Sequence, residues 1–291
     1  MSRSLSAIFS LRSLAGNRRL FALCLILFIV STFISLWLFF PADVVQRRLV
    51  QEMMQTTGIK IQGDNASMLF PFGLKLDLAI YPEVMELADL KVNNLHVSPA
   101  WKTLLSDSPA LNFKGSIADG QFLAQAGQDG RLNINAQDVA LLGLQQPGND
   151  YRLSGNLTAE LHAEELAADM TGQGRFTIEI NDAQVLGLQK IGLPNNFAVG
   201  LVQLAGKFNQ RRVSVERIVA TGGVLGLSGG GTLLVGETPD QTRLNLNLRL
   251  YPHQTTPDSL RDMIKLTGIR PTADGSYLLR IGGTLAKPVI R

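Results

Sequence analysis

Apolar and polar side chains alternate with a period of two residues along much of the chain. In the segment LKLDLAI (74–80), Leu74, Leu76 and Leu78 alternate with polar or small residues. Successive side chains of a β-strand point to opposite faces, so this pattern predicts a strand that is apolar on one face and polar on the other. The same alternation recurs in RLNIN (131–135), RFTIEI (175–180), VSVERIV (213–219), RLNLNLRL (243–250) and SYLLRI (276–281).

Turn-forming residues separate these strand candidates at a spacing of roughly ten residues. Strands joined by short turns favour an antiparallel meander over alternating strands and helices. We therefore predict a mainly β fold, an extended antiparallel and twisted or curved sheet that forms either an open groove or a sandwich. A few short helices are expected near residues 99–105, 183–190 and 256–267.

Glycine recurs inside the strand candidates. In a strand, glycine marks a bend, a bulge or a point where another surface approaches closely. We therefore expect these glycines to serve backbone geometry. They lie in the segments LNFKGSIADGQF (111–122), YRLSGNLTAEL (151–161), VQLAGKFNQRRVSVERI (202–218), LGLSGGGTLLV (225–235) and YLLRIGGTLAKP (277–288).

The segment from Leu20 to Phe40 contains 21 residues and no charge. A helix of this length crosses a hydrocarbon core of about 30 Å, whereas the apolar core of a cleaved signal peptide is shorter. Four arginines and no acidic residue precede or begin this run, which predicts a cytoplasmic N-terminus. The predicted order is a cytoplasmic tail (1–19), a transmembrane helix (20–40), an amphipathic helix (41–58) and a periplasmic β-rich domain (59–291).

The exported part is close to neutral. The chain has 27 basic and 24 acidic residues, and four of the basic ones fall in the first 40, which leaves residues 41–291 with a net charge of −1. This balance gives no electrostatic basis for binding nucleic acid. The single cysteine, Cys24, lies in the predicted span, so the exported part must be stabilised by burial of apolar surface.

The sequence GLSGG (226–230) matches the G-x-S-x-G pattern of hydrolases, with Ser228 in the place of the nucleophile. That motif requires a tight turn and then a helix, but three glycines and several β-formers follow Ser228. His96, His162 and His253 are scattered and have no spacing typical of a zinc site. We predict a protein without catalytic residues, metal or cofactor.

Three segments resemble the type II secretion system protein N family. They are FFPADVVQRRLVQEMMQTTGIKIQ (39–62), MLFPFGLKLDLA (68–79) and GSYLLRIGGTLAKPVIR (275–291). The same layout of a membrane helix, an amphipathic helix and glycine-rich strands is similar to the wider AsmA-like group. The resemblance implies a single-span bacterial inner-membrane protein with its bulk in the periplasm, a β-rich fold and an accessory place in the secretion machine. It implies no catalytic residue.

Two functions follow as expectations. The first is a non-catalytic interaction module that contacts other secretion-system subunits. The alternative is a lipid-binding or lipid-transfer module that holds the acyl chains of phospholipids in an apolar groove. Candidate residues for the apolar groove or core face are Leu74, Leu76, Leu78, Leu244, Leu246 and Leu248.

Overall fold

The computed structural model of the chain describes most of residues 18–290. The described ranges are 18–38, 41–57, 60–69, 73–81, 90–103, 106–144, 152–167, 171–191, 195–236, 238–253, 256–266 and 269–290. The predicted cytoplasmic tail (1–19) lies almost entirely outside these ranges, as do residues 39 and 40 of the predicted span.

Three helices are described. α1 covers Arg18–Leu38, α2 covers Ala42–Thr57 and α3 covers Asp258–Leu266. The amphipathic helix predicted after Pro41 is confirmed as α2, and the helix predicted at 256–267 is confirmed as α3. Within the described residues, no helix combines the length and the apolar character needed to cross a membrane.

Fourteen strands make a single antiparallel sheet in which each strand pairs with its neighbours in sequence, so β1 and β14 are its two edges. The mainly β, antiparallel prediction is confirmed, and the described strands form one open sheet instead of the two sheets of a sandwich. The strands are β1 (Lys60–Leu69), β2 (Gly73–Tyr81), β3 (Leu90–Pro99), β4 (Ala110–Ile117), β5 (Gly120–Gly127), β6 (Leu132–Ala140), β7 (Arg152–Glu164), β8 (Gln173–Leu186), β9 (Asn196–Asn209), β10 (Arg212–Gly222), β11 (Leu225–Leu234), β12 (Arg243–Pro252), β13 (Tyr277–Gly283) and β14 (Pro288–Ile290).

Two of the predicted helices are not found. Residues 183–186 continue β8, where Ala183 is fully buried and pairs with Gly200 of β9, and only a 3₁₀ turn follows at Leu188–Ile191. Residues 101–103 form a turn after β3, and residues 104–105 lie outside the described part. Pairing with a neighbouring strand therefore outweighed the local helical pattern at residues 183–186.

The register of the sheet separates its two faces. Residues directly opposite each other in an antiparallel pair project to the same side. A single row of opposite residues crosses all fourteen strands and is apolar throughout, and we call the side on which it lies the apolar face. The row contains Met68, Leu74, Val97, Phe113, Ala124, Ile134, Leu161, Phe176, Gly206, Val215, Gly231, Leu246, Ile281 and Ile290.

The opposite side, which we call the polar face, carries mostly hydrophilic residues. One of its rows runs from β4 to β12 and contains Asn112, Gln125, Asn133, His162, Arg175, Lys207, Ser214, Thr232 and Asn245. The polar side chains of this row remain hydrated, which allows the polar face to stay in water. The alternation in the sequence thus places mostly apolar side chains on one face of the sheet and mostly polar side chains on the other.

The main core lies under α2, at the β1 end of the apolar face. Leu76 is fully buried there, with 0% of its surface exposed, and Leu49, Val50 and Met53 of α2 pack against the same cluster. Gly63 of β1 lies directly beneath α2, because a Cβ atom at this position would approach Gln46 and Val50. The contact between the helix and the sheet is therefore mostly apolar, and Gln46 is a polar residue within it.

Five of the strand glycines lie beneath large side chains of the neighbouring strand. A Cβ atom at Gly206 of β9 would lie 2.8 Å from the Phe176 ring of β8. Each such glycine gives a bulky apolar neighbour room to lie flat on the sheet. The same arrangement occurs in the pairs Gly115 with Phe122, Gly174 with Phe208, Gly229 with Leu248 and Gly231 with Leu246, where another surface approaches the glycine closely as expected.

Asp77 of β2 forms hydrogen bonds with an irregular position on each of the two neighbouring strands, β1 and β3. Asn65 of β1 and Asn94 of β3 both have positive φ, at 56° and 51°, and the register shifts next to each of them. The Asp77 carboxylate accepts a hydrogen bond from the Asn65 amide at 2.9 Å and from the Asn94 backbone N–H at 2.7 Å. These two hydrogen bonds, the first above all, hold the pKa of Asp77 below its usual value, and Lys75 contributes less.

We expect Asp77→Asn to destabilise the sheet more at pH 7 than at pH 2.5. A lowered pKa means that the ionised carboxylate stabilises the folded state above pH 3.8, and that this contribution is lost as the pH falls through the folded-state pKa. Urea unfolding of both proteins at pH 7 and at pH 2.5 measures the difference. An equal gap between the two midpoints at both pH values would contradict the assigned role of the charge.

Candidate functional site

The six leucines predicted to line a groove or core face all lie on the apolar face, but in two different environments. Leu74, Leu76 and Leu78 on β2 are 7%, 0% and 4% exposed, because α2 covers the sheet there. They belong to the core and are closed to a ligand. The three leucines of β12, Leu244, Leu246 and Leu248, are half-buried.

The two groups of leucines do not meet. Leu74 and Leu246 occupy the same row of the register, but ten strand intervals separate β2 from β12. At about 4.8 Å per interval this is about 48 Å along the sheet. The structure therefore replaces the predicted cluster with a long apolar face, covered at the β2 end and accessible at the β12 end.

The accessible part of the apolar face extends from β5 to β13. Its side chains, such as Ile134, Leu161, Phe176 and Ile281, are half-buried. Among the described α-helices, α2 alone makes an extensive contact with a strand, and that strand is β1. Eight strand intervals at about 4.8 Å give this surface a width of about 38 Å. We call it the accessible apolar surface.

Ser228 lies inside β11 and its side chain is on the polar face. Its hydroxyl donates a hydrogen bond to the Tyr251 hydroxyl, at 3.3 Å, and not to a histidine. This hydrogen bond is the main reason why the pKa of Tyr251 is lowered, with Arg249 as a further cause. The strand continues through Gly229 to Leu234, so the helix that a hydrolase elbow requires does not follow.

Metal-binding side chains are also dispersed. In the described part of the chain, no three histidine, cysteine or acidic side chains come together in a way that could hold a metal ion. Asp274 has the most strongly shifted pKa, lowered to about 2, because its carboxylate accepts hydrogen bonds from Thr272 and Ser276 within one turn. This turn lies at the surface and stabilises the connection into β13.

The polar face carries a feature that the sequence did not reveal. His162, Arg175 and Lys207 lie directly opposite one another on β7, β8 and β9. They are up to 45 residues apart in the chain, and only the register of the sheet brings them together. The tip of the β9–β10 hairpin lies beside this row at residues 210–211, and β10 begins at Arg212.

The comparisons with known proteins give no relative for this chain. No family model, no curated protein and no solved structure matches it. The resemblance of residues 39–62 to the secretion family stays a prediction.

Proposed function

We propose that this chain is a single-span protein of the bacterial inner membrane whose periplasmic sheet holds phospholipid acyl chains on the accessible apolar surface. The observation that carries this proposal is the apolar row across fourteen strands, whose side chains from β5 to β13 are largely half-exposed. Monomeric soluble proteins rarely expose contiguous apolar patches above a few hundred Å² unless they bind something.

The dimensions of the surface suit acyl chains. One leaflet of a bilayer core is about 15 Å thick, so an acyl chain of that length lying across the strands covers less than half of a surface about 38 Å wide. Each methylene group transferred from water onto the sheet contributes about 0.8 kcal/mol. The half-buried leucines, isoleucines and phenylalanines provide contact without a polar group that would need a partner.

The proposed anchor would hold one end of the sheet near the membrane. The span is proposed from the uncharged run of residues 20–40, whose last two residues lie outside the described part, and α2 begins at Ala42. Only two residues separate Thr57, at the end of α2, from the start of β1, whereas Gln46 and Val50 lie over Gly63. α2 therefore runs back along β1, and its membrane-proximal end points towards Leu69. Lipid leaving the membrane would reach the apolar face from that end.

The lipid content of purified protein tests the proposal. The full-length chain in mild detergent is expected to retain phospholipid, and a variant with Leu246→Asp and Leu248→Asp is expected to lose more than half of it. The charged side chains would lie on the apolar face and make acyl contact costly. A variant with Asn245→Asp and Asn247→Asp is the matched control, since it adds the same charge to the polar face of the same strand. Equal lipid in the two variants would contradict the proposal.

A second candidate function is a non-catalytic accessory role in type II secretion. Besides the sequence resemblance, it is supported by a free sheet edge. β14 pairs with residues 281–283 of β13, so Leu278–Arg280 have no outer partner strand among the described residues. An unpaired edge of this kind can accept an extended segment from another subunit through main-chain hydrogen bonds.

Comparing a deletion strain with its parent separates the two candidates. Selective loss of folded proteins from the medium, with an intact outer membrane, supports the secretion role. Normal secretion with a changed lipid composition or a leaky outer membrane supports the lipid role.

A further inference from the structure

The polar face contains a shallow cavity of about 590 Å³ that is independent of the accessible apolar surface. It is lined by side chains of β6 to β10 near the β9–β10 hairpin. The basic residues among them are Arg131, His162, Arg175, Lys207 and Arg212, whereas Glu164 is the single carboxylate in the lining.

The register forces like charges together in this cavity. Arg175 of β8 lies directly opposite Lys207 of β9 and, on its other side, opposite His162 of β7. Directly opposed residues are about 5 Å apart at Cα, and like charges at that distance destabilise a sheet. An antiparallel sheet that places two cations opposite each other gains stability when an anion lies between them.

Two of the arginines are not neutralised by any carboxylate among the described residues. Lys207 pairs with Glu216 at 2.8 Å, and Arg131 pairs with Asp129. Arg175 and Arg212 have no carboxylate partner in the part of the chain that the structure describes. The lining thus carries an excess of positive charge, although residues 41–291 together have a net charge of −1.

The remaining groups in the cavity suit an oxyanion. The amides of Gln173 and Asn209 and the hydroxyl of Ser214 lie beside the two arginines and can donate hydrogen bonds. A guanidinium group binds phosphate oxygens through two parallel hydrogen bonds, and it does so more specifically than a lysine ammonium. We propose that this cavity binds a phosphorylated ligand with two or more negative charges, supplied either by a lipid headgroup or by a soluble phosphate ester.

Calorimetric titration of the full-length chain in detergent tests this proposal. The probes are inorganic pyrophosphate, dihexanoyl phosphatidic acid and, as a zwitterionic control with the same chains, dihexanoyl phosphatidylcholine. Arg175→Gln and Arg212→Gln are each expected to weaken pyrophosphate binding roughly tenfold, the effect of removing one charge-assisted hydrogen bond. Arg280→Gln is the matched control, because Arg280 is an exposed cation on the polar face of β13.

The outcomes are distinct. Saturable pyrophosphate binding that weakens in the two cavity variants and persists in Arg280→Gln supports the proposal, and tighter binding of phosphatidic acid than of phosphatidylcholine identifies a lipid headgroup as the source. Binding should also weaken as salt is raised to 0.5 M, a concentration at which screening acts over roughly 4 Å. Absence of saturable binding, or an equal loss in Arg280→Gln, would overturn the proposal. Because neither cavity variant touches the apolar face, failure here leaves the acyl-chain proposal intact.

Discussion

Leu76→Ala is expected to lower the free energy of unfolding by about 3 kcal/mol, the largest effect of any single leucine in the sheet. Leu76 is 0% exposed beneath α2, and its side chain contributes to the cluster that joins the helix to β1, β2 and β3. Truncation removes apolar contact and leaves a cavity that the surrounding strands cannot fill. Urea unfolding of the full-length protein in one detergent measures the loss.

Leu244→Ala is the control for this prediction. Leu244 has the same residue type and lies on the same apolar face, but it is half-exposed. Its truncation is expected to cost about 1 kcal/mol, because less surface returns to water and no closed cavity forms. Similar losses in the two variants would show that β12 is covered in solution as β2 is, and would contradict the division into a core and an accessible surface.

Gly206→Ala is expected to destabilise the protein by about 2 kcal/mol, in the range for an overpacked site. The new methyl group would overlap the Ser214 carbonyl oxygen and would lie 2.8 Å from the Phe176 ring. The Ser214 carbonyl cannot easily give way, because the backbone of β10 is held by its pairing with β9 and β11. The unfolding midpoint at a fixed detergent concentration measures the effect.

Gly282→Ala supplies the comparison. The nearest atom to a Cβ at Gly282 is the Leu244 carbonyl oxygen at 3.9 Å, so the methyl group fits without a shift. We expect little change in the free energy of unfolding, or a slight increase because alanine reduces the conformational freedom of the unfolded chain. If both glycine variants lose the same stability, the close approach of Phe176 to Gly206 does not explain the recurring glycines.

The strands were predictable because a period of two residues is a local signal. Segments such as 74–80 and 243–250 show it without reference to the rest of the chain, and α2 and α3 were equally clear from their apolar spacing and end signals. The helix predicted at 183–190 was wrong because the pairing of Ala183 with β9 is a long-range effect. Local patterns also could not show that all strands join one sheet.

The environment of the candidate site was less predictable than the strands. Leu76 and Leu246 lie in nearly identical alternating segments, and what separates them is the position of α2, which covers one end of the apolar face. Arg175 lies opposite Lys207 because β8 and β9 pair in one particular register, and no sequence motif indicates that register. Burial and charge clustering both arise from tertiary contacts, so the sequence predicts which face is apolar but not which part of it is open.

Photocrosslinking inside the cell tests the central claim most directly. A photoreactive residue is placed in the full-length protein at Ile178, on the accessible apolar surface, or at the neighbouring Thr177, on the polar face of the same strand. We expect a phospholipid adduct at position 178 in a yield well above that at position 177. Protein adducts without lipid at position 178, or lipid adducts of equal yield at both positions, would contradict it.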